Sequence, residues 1–124
     1  MPLHIDKKDF LPCAAIGVRR GNNLIAGFVY NNYVGISINV TVASVDPRWT
    51  LRRDIIRALF IYPFVQLGVT RLTCSVSVHN KKAIKLAEGL GFHREGLLRR
   101  GYDGINDAYL YAMLREECDW KVTA

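Results

Sequence analysis

Five side chains with chemical capability fall between Cys74 and Asn80: a thiol at Cys74, hydroxyls at Ser75 and Ser77, an imidazole at His79 and a carboxamide at Asn80. The His79 imidazole could act as a general base, although the same residue type also serves as a partly exposed structural histidine. The Asn80 carboxamide can hydrogen-bond a ligand or cap the helix that follows it. Cys74 alternates with Leu72 and Val76, which marks a buried core thiol rather than a nucleophile. Ser44 and the tyrosines Tyr102, Tyr109 and Tyr111 are further hydroxyls near strand ends and loops. Proton transfer is the chemistry this set can perform. Metal chemistry is not expected, because Cys13, Cys74 and Cys118 show no C-x-x-C spacing; the same spacing predicts reduced thiols.

A second set of residues could hold an anion. The net charge of +6 comes from clusters: Arg19 with Arg20; Arg48, Arg52, Arg53 and Arg57; Lys81, Lys82 and Lys85; Arg99 with Arg100. Such clusters suit phosphates, nucleic acid or an acidic protein surface. No motif interleaves aromatic and basic residues, so nucleic acid is not the expected partner.

These residues sit in a chain of 124, half of it apolar, which is one core and therefore one domain over residues 1–124. The longest apolar runs, such as residues 59–67, fall far short of the ~20 residues of a membrane span, and no signal pattern opens the chain. The expectation is a soluble, cytoplasmic protein with no membrane partner.

The elements follow from periodicity. Residues 1–12 carry little pattern. Residues 14–20 and 24–30 are β-rich and flank Gly21, Asn22 and Asn23, which reads as a hairpin. Residues 36–44 alternate apolar and polar as a half-buried strand. Asp46 and Pro47 then predict a helix start. Leu51, Ile55, Ile56, Leu59, Phe60 and Phe64 keep helical spacing to a stop at Gly68, with Pro63 disturbing the last turn. Residues 71–78 alternate as a strand. Asn80 caps a helix over 81–88 with Ala83, Ile84 and Ala87 inward and Gly89 as its stop, and residues 92–99 and 108–115 are two more strands. The order β-β-β-α-β-α-β-β forms a mixed α/β sheet, and its strand-helix-strand unit at 36–78 requires one parallel pairing if those strands are neighbours.

Within this frame, L-G-V-T-R-L at 67–72, Asn80 with Ala83 three residues on, Gly91-Phe92, Glu95-Gly96, Asp107 and the closing L-R-E-E-C-D-W form a recognisable pattern. It resembles the GNAT acyltransferase superfamily, and within it the branch that acetylates the N-terminal amines of ribosomal proteins. The resemblance implies a mostly antiparallel sheet flanked by two main helices, with acetyl-coenzyme A as donor and a protein or small-molecule amine as acceptor. It places the pantetheine arm along the strand at 36–44, involving Val42 and Ser44, and the pyrophosphate at residues 47–53, involving Arg48, Thr50, Leu51, Arg52 and Arg53. Unpartnered N–H groups at a helix start give that second placement an independent physical basis. Asn80 and Ala83 would meet the pantetheine or acetyl end, and Lys85 the phosphates. Asn80, His79 and Ser77 are the catalytic candidates.

The chain also departs from the family pattern. The glutamine or arginine and the two small residues of the usual phosphate loop are replaced by Pro47, Thr50 and Arg52; no acid lies between Ile36 and Ser44; and Ala87 stands where a tyrosine usually donates the proton. Some 20 residues precede the Gly21 turn, too few for the usual N-terminal strand and helices, so the acceptor side is expected to be open, supplied by another subunit as in a homodimer, or absent. This suits a shortened, phage-type member. A GNAT-shaped binding or virion-associated protein without catalysis is the alternative.

Overall fold

The computed structural model describes residues 3–10 and 13–120. Seven strands form one sheet: β1 (Leu3–Phe10), β2 (Cys13–Arg20), β3 (Asn23–Asn31), β4 (Ser37–Ser44), β5 (Arg71–Ser77), β6 (His93–Leu98) and β7 (Ala108–Leu114). Their order is β1-β2-β3-β4-β5-β7-β6. All pairings are antiparallel except β4 with β5, which is the parallel pair required by the intervening helix.

β1 lies in the stretch whose sequence carries little pattern. Lys7 and Lys8 beside Asp6 and Asp9 erase any apolar alternation, but an edge strand needs only backbone pairing along one side, and charged residues there discourage further pairing. The Cys13 side chain lies outside the described residues.

One face of the sheet is the core. Phe28, Tyr30, Ile38, Val40, Leu72, Cys74, Val76, Tyr111 and Met113 join residues of α1 (Arg53–Ile61) and α2 (Lys81–Leu90) in a single apolar cluster. The alternate residues Val29, Thr41, Ala43 and Ser75 are exposed. Among the described residues, no helix is long and apolar enough to cross a membrane.

The α1 region breaks up for readable reasons. Asp46 caps a 3-10 turn over Pro47–Leu51 instead of an α-helix, and α1 starts only at Arg53. Leu51, expected on the inner helical stripe, is therefore outside the helix and 80% exposed. Trp49 takes the buried place: its ring packs edge-on against Phe28 at 5.1 Å, and its Nε1 donates to Ser44 Oγ at 2.9 Å. At the other end, Pro63 has no N–H to donate to the Leu59 carbonyl four residues back. The buried Tyr30 hydroxyl donates to that carbonyl instead, at 2.6 Å. The last turn widens to a π-turn over Tyr62–Gln66, and Gly68 at φ 70° ends it.

α2 corrects a second stop. It runs through Gly89 to Leu90, and Gly91, at φ 107°, is the left-handed terminator. A Cβ on Gly91 would lie 3.3 Å from Met113 Cε.

Candidate active site

β4 and β5 pair only at Ser37↔Arg71, Ile38↔Leu72 and Asn39↔Thr73. Beyond these residues the two strands diverge, although β4 stays paired with β3 out to Ser44. The β5-facing edge of β4 from Val40 onward thus has backbone donors and acceptors with no strand partner, which is where an extended amide-bearing molecule can pair as a strand would.

A cavity of about 130 Å³ occupies the gap. Val40, Thr41 and Val42 of β4 line it from one side and residues 74–77 of β5 from the other; Leu59, Phe92 and one face of α2 close it inside, and Tyr102 reaches it from the β6–β7 connection. Enclosing a drug-sized ligand takes roughly 300–1,000 Å³. This cavity therefore suits a slender arm rather than a whole nucleotide-bearing cofactor.

Of the candidates read from the sequence, Val42, Ser77, Asn80 and Ala83 line the cavity. Asn80 caps α2, its Oδ1 accepting from Ala83 N at 3.1 Å. His79 is exposed and does not line the cavity, and its backbone N–H donates to Ser77 Oγ at 3.3 Å. Lys85 is also exposed and outside the lining. Cys74 does line it, as a buried thiol that desolvation pushes up to about 12, so it holds its proton.

Ser44 at the end of β4, Arg48, Thr50, Leu51 and Arg52 in the β4–α1 connection and Arg53 at the start of α1 lie apart from the cavity lining. Ser44 Oγ is taken by Trp49, and Thr50 Oγ1 donates to Pro47 O at 2.7 Å. Arg48 binds Asp46 through side chain and backbone, which holds that carboxyl down at about 2. Arg52 pairs with Asp54 at 2.9 Å. The Asp54 carboxyl is held below its usual range first by Arg52 and further by backbone N–H groups of its own first turn. An acidic side chain thus occupies the start of α1. The Arg53 guanidinium lies 5.7 Å from the Trp120 ring centroid.

The sequence reading overlooked Leu86 and Leu90 as lining residues. With Asn80, Ala83 and Ala87 they form one helical face, so the 3.6-residue period already contained them. Tyr102, one of the three tyrosines already named as candidate hydroxyls, also lines the cavity, a placement with no periodic signal because it sits in a loop.

No protein-family model matches the chain. The chain is 31% identical over 67 residues to an uncharacterized N-acetyltransferase, p20, of Bacillus licheniformis, a match covering 52% of this chain and 38% of that protein. A solved structure described as a probable acetyltransferase superposes with a TM-score of 0.72 at 21% identity, covering 85% of this chain and 63% of that one. A mutant of the spermidine N-acetyltransferase SpeG of Vibrio cholerae gives a TM-score of 0.69 at 24% identity, covering 84% and 65%. The chain thus spans under two thirds of the length of each of these three. The structural likeness covers more than four fifths of this chain, and it shows that the chain has the fold of the GNAT N-acetyltransferases.

Proposed function

We propose that the chain is an acetyl-coenzyme A-dependent N-acetyltransferase acting on a protein or small-molecule amine. The observation that carries this reading is the unpaired edge of β4 facing a narrow cavity at the divergence from β5. When bound, acetyl-coenzyme A supplies an acetyl thioester at the end of an amide-bearing arm. Val40–Ala43 would pair with the arm through backbone groups, Val42 and Ala83 would pack on it, and Asn80 would keep a carboxamide at its inner end. Arg48, Thr50, Leu51, Arg52 and Arg53 surround the place for the phosphates, with the arginines supplying charge-assisted bonds in place of a glycine-rich loop. Lys85 adds positive charge on α2.

Positioning supplies much of the rate in such a transfer. Ser77 lies on the cavity, with His79 next to the capping Asn80, and these two would relay a proton from the amine. Residues 1–124 act as one acyltransferase domain in the cytoplasm, a phage-type relative of the ribosomal-protein branch. Protein N-terminal amines and spermidine are the first acceptors to test, the one from the sequence resemblance and the other from the structural neighbour. Incubation with labelled acetyl-coenzyme A and a panel of amines should release free thiol together with acetylated amine. Saturable binding without transfer to any amine would instead identify a binding protein of the same fold.

A further inference from the structure

The cavity lacks the usual proton donor, since Ala87 offers no hydroxyl, yet a phenol reaches the cavity from a different element. We propose that Tyr102 protonates the departing coenzyme A thiolate, an inference that rests on the acetyltransferase reading above. Tyr102 lines the cavity together with Asn80 and Ala87 although it comes from the β6–β7 connection.

That connection is well tied down. Tyr102 N donates to Asn106 O at 3.2 Å and Gly104 N to Arg100 O at 3.1 Å. Asp103 Oδ1 accepts from Ile105 N at 2.9 Å and from Asn106 N at 2.7 Å. Asp107 joins the loop to the rest of the site: its Oδ1 accepts from Arg100 N at 2.8 Å, and its carbonyl accepts from Val78 N at 3.2 Å, just past the end of β5. Tyr102 is thus carried on a hydrogen-bonded frame attached to the mouth of the cavity.

The competing protic groups are poorer donors or already engaged. Tyr111 Oη donates to Glu88 Oε2 at 2.8 Å and accepts from Arg94. The Tyr109 ring is covered by the Arg94 guanidinium at 3.8 Å. Thr41, Ser75 and Ser77 carry aliphatic hydroxyls, which are weaker acids than a phenol. Asn80 is a carboxamide whose oxygen caps α2, and burial keeps the Cys74 proton in place. Tyr102 is 57% exposed, and its hydroxyl has no hydrogen-bond partner among the described residues.

In the step, the acceptor nitrogen bonds to the acetyl carbonyl carbon and the carbon–sulfur bond breaks, its electron pair staying on sulfur. The Tyr102 Oη proton passes to that sulfur, giving the free thiol. The phenolate recovers a proton through water from the one the acylated nitrogen sheds. The products are the N-acetyl amine and coenzyme A.

The test is steady-state kinetics of the unmodified chain, Tyr102→Phe and, as a control, Tyr109→Phe. Tyr102→Phe keeps the ring and should lower kcat by about 100-fold, leaving the KM values for acetyl-coenzyme A and amine within about twofold, while Tyr109→Phe keeps kcat. A Tyr102→Phe variant with undiminished kcat, or one whose only change is a higher amine KM, overturns the assignment and leaves the acetyltransferase reading standing. An unmodified chain that transfers acetyl to no amine overturns both.

Discussion

Cys74 shows how one side chain reports on the cavity around it. Its thiol faces the gap between β4 and β5 but is desolvated by core neighbours, and its proton stays on until about pH 12. At pH 8 such a thiol carries roughly a thousandth of the thiolate of free cysteine. Alkylation by iodoacetamide, mapped to Cys74 by mass spectrometry, should therefore be more than about a hundredfold slower than for free cysteine, rising with pH up to about 12. A rate close to that of free cysteine at pH 8 would mean the thiol is hydrated and the cavity open around it. The alternation of Leu72, Cys74 and Val76 made the burial of this residue legible. What alternation could not convey is that the strand's neighbour diverges there, because that depends on β4 and β5 pairing over three residues only. The same limit explains Tyr102: side chains that reach a cavity from a loop leave no period in the sequence.

At the scale of elements, the α1 region bears on stability and on the proposed phosphate site. The Tyr30–Leu59 bond answers the carbonyl that Pro63 leaves without its helical donor. Tyr30→Phe removes that donor from a buried site and should lower unfolding free energy in urea by about 1–3 kcal/mol; an unchanged midpoint would show that the carbonyl finds another partner. At the start of α1, the Asp54 carboxylate already holds first-turn N–H groups and Arg52, for which phosphates bound at the proposed site would have to compete. Asp54→Asn should tighten acetyl-coenzyme A binding by roughly three- to tenfold, since a helix-end charge is worth about 0.3–1 kcal/mol and freeing Arg52 adds to it. Weaker binding in that variant would place the phosphates elsewhere. Asp46 and Pro47 signalled a helical start, and a turn does start there, but the indole of Trp49 diverts the chain into the core before α1 begins. The choice between a 3-10 turn and an α-helix was settled by this tertiary packing against Phe28, to which local propensity is blind. Gly91, not Gly89, ends α2 for a related reason: Leu90 has a core place to fill, so the helix continues until a glycine with positive φ is available.

For the whole molecule, a seven-strand sheet with its helix-side face filled and its other face carrying exposed alternate residues leaves the diverging strands reachable. Six of the seven strands, both helices and the parallel crossover followed from sequence periodicity, whereas β1 did not, because its charges suit an edge and hide its pairing. The account stands on the unpaired edge of β4 accepting an amide-bearing arm while the arginines at 48–53 meet its phosphates. Isothermal titration of the chain with acetyl-coenzyme A tests this directly. The account predicts saturable one-to-one binding that weakens as salt is raised, because part of the affinity is phosphate–arginine attraction; an absence of binding at millimolar ligand in low salt would contradict it.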